Sequence, residues 1–112
     1  MNKKFLYVGH YVDLNGNYIL KLGTTDNLER RKKEHTKNYQ KAPYHTMRKN
    51  SCFEYDWTLG LSPLNTLRYE QQNIERWKEM EIGKYLRNDR FICNEKPKKV
   101  NIRIKKDYEV IL

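Results

Sequence analysis

The sequence predicts an α+β fold. Two aromatic-rich strand segments meet at an Asn-Gly turn, helical segments follow the second and third strands, and apolar residues alternate with polar ones near the end. The resulting order is β-β-α-β-α with a C-terminal β tail. Residues 3–12, Lys-Lys-Phe-Leu-Tyr-Val-Gly-His-Tyr-Val, are of aromatic and β-branched types that favour a strand. Asn15-Gly16 lies inside the turn 13–17, and Asn-Gly is the strongest short hairpin signal because both central residues take positive φ. Tyr18 to Thr24 is the return strand. Asp26 precedes Glu29 by three residues, a capping-box-like start for a helix over 27–37. Loop-forming residues fill 38–50, and 51–61 reads as a third strand. Ser62-Pro63 is an N-cap followed by proline at the first helical position. The second helix carries Leu64, Leu67, Ile74, Trp77 and Tyr85, with Gly83 as its break or end. Lys96-Pro97-Lys98-Lys99 reads as a short basic linker. Val100, Ile102 and Ile104, then Tyr108, Val110 and Leu112, alternate with polar residues as two short strands around Lys105-Lys106-Asp107.

At 112 residues the chain is sized for one domain, with a core over 1–95 and the linker and β tail of 96–112 packed on it. Hydrophobic residues make up 38%, below the roughly 45–50% that is usual, so one compact core is the limit. Twenty-three Lys and Arg against fourteen Asp and Glu leave a net charge of +9, which favours an anionic partner such as nucleic acid or an acidic membrane surface. No run approaches the ~18 apolar residues of a membrane span, and the first ten residues contain no signal-peptide stretch. Cys52 and Cys93 fit no zinc spacing and build no disulfide framework. The expectation is an intracellular chain with reduced thiols, cytoplasmic or nuclear.

The first helix is the unusual element. From Asp26 to Lys37 its only apolar residue is Leu28, among Arg30, Arg31, Lys32, Lys33 and Lys37. An amphipathic helix normally buries a stripe at least ~100° wide. Arg31 and His35 stand four apart, on the face of Leu28, the face that turns inward. An inward Arg beside a His is costly without an anion to receive it. The competing reading is a solvated basic helix with salt bridges through Glu29 and Glu34.

Two strands joined by a hairpin, followed by Lys21-Leu22-Gly23-Thr24-Thr25-Asp26-Asn27-Leu28-Glu29-Arg30-Arg31-Lys32-Lys33-Glu34-His35, resemble the GIY-YIG nuclease superfamily. The eight-residue step from Gly23 to Arg31 and the His one turn later suit its pattern. Thr66-Leu67-Arg68-Tyr69-Glu70-Gln71-Gln72-Asn73-Ile74 resembles the helix that supplies its metal-binding Glu. The resemblance spans about residues 5–80 and implies a small three-stranded antiparallel sheet flanked by helices.

Carried over residue by residue, the resemblance implies that Tyr7 is the first signature tyrosine, with Tyr11 as its competitor. Arg31 would stabilise charge on the attacked phosphate, and His35 would assist by hydrogen bonding or proton transfer. Glu70 would hold one divalent cation, Mg²⁺ with Mn²⁺ as a substitute, and Glu81 is the alternative metal ligand. Lys21 stands where the second signature tyrosine belongs, a departure that resembles divergent viral and phage branches. Asn88 and Asn94 are candidates for the late asparagine.

The chemistry agrees with the residue types. Phosphodiester hydrolysis builds negative charge on phosphorus oxygens, and a planar guanidinium meets that charge bidentately. Magnesium needs only one or two carboxylates and keeps water for the substrate side. A tyrosine near pKa ~10 is a poor base at neutral pH unless a cation lowers it, and Lys21 is expected either to do so or to contact phosphate. Arg30, Lys32, Lys33, Lys37, Lys41, Arg48 and Lys49 form one expected DNA-binding flank, and the tail lysines a second. Tyr39, Tyr44, Phe53 and Trp57 are candidates for stacking on bases, although packing in a core is their commoner fate. His10, His45, Cys52 and Cys93 read as structural.

The expected function is a metal-dependent DNA endonuclease, with a catalytically silent nucleic-acid-binding domain on the same scaffold as the alternative. An interaction protein with an acidic partner is a third reading. Cutting both strands from one site would require a dimer on DNA or two encounters.

Overall fold

The computed structural model describes residues 3–112. The chain order is β1 (Lys4–Val12), β2 (Tyr18–Thr25), α1 (Leu28–Gln40), β3 (Glu54–Leu61), α2 (Pro63–Glu79), β4 (Lys84–Leu86), β5 (Arg90–Cys93), β6 (Lys99–Arg103) and β7 (Asp107–Ile111). The α+β class therefore holds, and β-β-α-β-α opens the chain as expected. The sheet is larger than three strands: its order is β3-β1-β2-β5-β4, and every pairing in it is antiparallel.

The two added strands come from the segment read as the end of the second helix. That helix stops at Glu79, closed by Ile82 N donating to Trp77 O (3.5 Å) and Glu81 N donating to Lys78 O (3.4 Å). Glu81 takes the left-handed conformation (φ 53°) at the position where glycine is usual, so the stop carries no glycine signal. Tyr85 then lies on β4, and Asn88 and Asp89, both left-handed, turn the chain into β5.

The first hairpin is also built differently from the expected turn. Gly16 has a positive φ of 82°, but Asn15 does not. Gly16 N donates to Asp13 O, and the buried Asp13 carboxylate accepts from the backbone of Asn15 and Asn17 and from the Asn17 amide. It also bonds His45 Nδ1 at 3.1 Å, which pins the 42–47 loop beside the hairpin.

Side-chain alternation along β1 divides the molecule. Leu6 and Val8 face α2, where they join Leu20, Leu22, Ile74, Trp77 and Phe91. Tyr7 and Tyr11 face α1, with Ile19, Tyr39, Met47 and Phe53. A bulge opposite Val8–Gly9 turns Tyr55 of β3 toward the α1 face, whereas Trp57 packs on the α2 side. α1 runs three residues beyond its expected end, and its N-cap is Asn27, whose side chain accepts from Arg30 N; Asp26 bonds the Arg30 guanidinium instead.

The β6–β7 hairpin adds Val100, Ile102 and Val110 to the α2-side core. Buried Asn73 clamps it, donating to Arg103 O and accepting from Arg103 N, both at 2.8 Å, while Trp77 Nε1 donates to Asn101 O at 2.8 Å. Among the described residues no helix is long and apolar enough to cross a membrane.

Two outcomes follow from this packing. Trp77→Ala removes a fully buried ring and the bond that holds the tail hairpin, and urea unfolding is expected to show a loss of about 3–5 kcal/mol. Burial alone would raise the Asp13 carboxyl's pKa, but its bonds from Asn17, His45 and Asn15 outweigh burial and hold it below 3.8. Its stabilising effect is thus complete above that value and lost as pH falls through the lower folded value. The urea midpoint of wild type should exceed that of Asp13→Ala at pH 6 by a margin that narrows below pH 4; a constant margin would refute the assignment.

Candidate active site

Tyr7 lies opposite Gly23 in the β1–β2 register, and its phenol crosses β2 where no side chain stands. A methyl at position 23 would sit 2.6 Å from the ring carbon that bears the hydroxyl. Past that point the hydroxyl reaches His35 Nε2 at 2.6 Å. His35 belongs to the inward face of α1, one turn after Arg31, and stacks on Tyr39 (5.1 Å, 5°) against Phe53. Burial, reinforced by the charges of Arg31, Lys21 and Arg90, lowers the His35 imidazole to about 3. It is therefore neutral at neutral pH. Burial pushes Tyr7 well above the usual phenol range, with Arg31 opposing, so Tyr7 is protonated and donates to a neutral Nε2.

Lys21 is 6% exposed and donates to Asn88 O at 2.6 Å. Burial pulls its amine down to about 8, against the opposing carboxylates of Asp89 and Glu70. Burial raises the Glu70 carboxyl, with Lys21 lowering it and Asp89 raising it further. Glu70 comes from α2 on the other side of the sheet. It reaches this site because β5 begins at Arg90, opposite Lys21, and leaves Leu22–Thr25 without an outer partner strand.

Tyr7, Lys21, Arg31, His35 and Glu70 line one cleft of about 340 Å³, together with Asn88 and Asp89. The sequence nominated the first five, and the fold brings together residues from four elements. Asn88, a candidate for the late asparagine, borders the cleft and receives Lys21 through its backbone carbonyl. Glu81 does not join them: it is off the helix and lines a separate depression with Asn94 and Cys93. Tyr11 is held away, its hydroxyl accepting from Arg90 Nη1 at 2.7 Å. The expected effect of Lys21 on a tyrosine is replaced by another: Arg31 is the cation that opposes burial at Tyr7, and Lys21 acts on His35 and Glu70.

The expected flank spreads over the outer side of α1. Lys32, Lys33 and Lys37 line one groove there, with Lys32 paired to Glu54 (3.2 Å) and Lys33 to Glu29 (3.7 Å). Arg30 pairs with Asp26 and lines a shoulder of the cleft with Arg31 and Lys4. The carbonyls of Arg48 and Lys49 accept from Gln40 Nε2, at the far end of the helix. Of the four aromatics expected to stack on bases, Tyr39 and Phe53 are core residues and Trp57 packs on Tyr108; Tyr44, 79% exposed, is open to solvent. His10 bonds Asp56 and stacks on Tyr18, while Cys93 is buried and Cys52 exposed.

Asp89 and Arg90 were not found from sequence, and Tyr39 was expected to stack on bases rather than on His35. Tyr39 is four residues after His35 on the same face, a legible spacing hidden by ending the helix at 37. Among the described residues no three His, Cys, Asp or Glu side chains form a metal-holding group. A divalent cation that keeps its waters needs no such group, and the partly buried Glu70 carboxylate facing the cleft fits one. No protein-family model, curated protein or solved structure matches the chain significantly.

Gly23→Ala should force the Tyr7 phenol off its path and break the bond to His35. The expected cost is about 1–3 kcal/mol, with loss of the His35 Nε2 acceptor signature in nitrogen NMR. An unchanged signature in a folded variant would refute this account of the glycine.

Proposed function

We propose that this protein is a metal-dependent DNA endonuclease. The observation that carries the reading is the Tyr7–His35 hydrogen bond in a cleft shared with Arg31, Lys21 and Glu70. A phosphodiester is the substrate that such a cleft suits, since its anion meets two cations and its hydrolysis requires a proton acceptor beside them.

Arg31 and Lys21 receive the phosphate and oppose the charge that grows on its oxygens, an effect worth several kcal/mol in a preorganised site. The neutral His35 accepts the Tyr7 proton at Nε2 while the Tyr7 oxygen takes one from the attacking water. In the empty cleft this pair is a weak base, because burial disfavours a protonated imidazole and the charges of Arg31 and Lys21 add to that effect. A bound phosphate cancels those charges, so the pair gains basicity when substrate arrives. A magnesium or manganese ion on Glu70 would supply Lewis-acid stabilisation of the phosphate. The lysines of α1 would hold flanking phosphates, with affinity that falls steeply as salt rises.

A supercoiled-plasmid assay with Mg²⁺, Mn²⁺ or EDTA tests the reading. Nicking is expected with either metal and not with EDTA. Arg31→Ala should reduce it at least about 100-fold. Glu70→Gln should abolish it, and Glu81→Gln should leave it unchanged. Salt-sensitive binding without nicking by the folded wild type would instead identify a catalytically silent nucleic-acid-binding domain.

A further inference from the structure

Behind the cleft, on β5, Arg90 faces the same side of the sheet as Lys21, its cross-strand neighbour. Its Nη1 donates to the Tyr11 hydroxyl at 2.7 Å and its Nε to Arg87 O at 3.1 Å, so both acceptors are neutral. The guanidinium carbon lies 5.2 Å from the Tyr39 ring centroid. Tyr39 stacks with Tyr11 (4.6 Å, 20°) and with His35 (5.1 Å, 5°). His35 in turn bonds Tyr7. A continuous set of contacts thus runs from an arginine outside the cleft to the imidazole inside it.

We propose that Arg90 is a positioning residue of the cleft, fixing the Tyr11–Tyr39–His35 ring column so that His35 Nε2 stays aimed at the Tyr7 hydroxyl. The inference rests on the nuclease reading for its catalytic consequence but not for its geometry. An apolar side chain would satisfy a sheet position packed on two phenol rings. A guanidinium there adds two things that an apolar group lacks. It anchors the Tyr11 hydroxyl, which sets the angle of the first ring. It also places a fixed cation behind Tyr39, which disfavours a protonated imidazole. The charged groups that bear on His35 are Arg31 from its own helix, Lys21 from β2 and Arg90 from β5. The phenols of Tyr7 and Tyr39 touch it, and β3 offers none here because Phe53 precedes that strand as an apolar wall. Arg31 and Lys21 are neutralised when phosphate binds at the cleft; Arg90, behind the rings, is not.

The test uses the full chain with Arg90→Met, Arg90→Lys and Tyr11→Phe, each checked for folding. Nitrogen and carbon NMR of the His35 ring follows its titration and its Nε2 acceptor state, and plasmid nicking is measured in parallel across pH. Arg90→Met should move the His35 titration up by less than about one pH unit, since Arg90 acts from behind the Tyr39 ring. It should also weaken the acceptor signature and lower nicking at neutral pH about tenfold. Arg90→Lys, which restores the cation, should return the titration toward wild type; loss of packing alone would not be rescued in this way. Tyr11→Phe keeps the ring stack and removes only the anchor, so it should weaken the acceptor signature with little movement of the titration. If Arg90→Met does not fold, Tyr11→Phe decides. Unchanged His35 signals in the folded variants overturn the proposal, whether nicking is kept or lost. If wild type never nicks, the nuclease reading fails while the ring signals still decide the role of Arg90.

Discussion

The buried hydrogen bond between Tyr7 and His35 lies at the centre of the contacts that hold α1 to the sheet, because α1 has no apolar stripe with which to do so. A helix whose first ten residues offer one leucine cannot be anchored by an apolar stripe. It is anchored by an aromatic and polar set instead: His35 and Tyr39 against Tyr7, Tyr11 and Phe53, Thr36 Oγ1 accepting from Phe53 N, and the Tyr55 hydroxyl donating to Leu28 O. The contacts that keep the helix in place are therefore the contacts that orient the cleft. Stability and chemistry draw on the same atoms here, and a glycine opposite Tyr7 is what lets them meet.

Burial governs the electrostatics of the cleft more than any single pair does. Loss of water lowers Lys21 and His35 and raises Tyr7 and Glu70, so each group is pushed toward its neutral form. Neighbouring charges then pull unevenly. Glu70 and Asp89 help keep Lys21 charged, whereas no carboxylate opposes the cations around His35. The result is a neutral imidazole beside an ammonium and a guanidinium, which is a receptive arrangement for an anion.

Much of this was legible in the sequence, and the parts that were not have physical reasons. The unusual composition of α1 and the four-residue step from Arg31 to His35 marked the inward face correctly. The alternation in 100–112 located the tail hairpin. The sheet was undercounted because α2 ends on a left-handed glutamate, and the glycine two residues later suggested a later stop. The Asn-Gly signal found the hairpin but not its form, since the buried Asp13 carboxylate, a tertiary feature, decides the turn. Glu81 lost its place as a metal-ligand candidate for the same reason that Tyr85 left the helix. The clustering of Tyr7, Lys21, Arg31, His35 and Glu70 could be nominated by type and spacing, but Asp89 and Arg90 required the β4–β5 hairpin to be known.

That hairpin has a consequence for how the site comes into being. Tyr7, Lys21, Arg31, His35 and Glu70 all leave the ribosome before Asn88, whose carbonyl receives Lys21, and before the strand that begins at Arg90. The cleft is bordered by a turn that follows all five of these residues in the chain. A polypeptide ending near residue 80 thus carries all five of these cleft side chains without the turn of Asn88 and Asp89 that borders them. The enclosed cleft therefore requires the chain through the β4–β5 hairpin, in which Asn88 and Asp89 complete its lining.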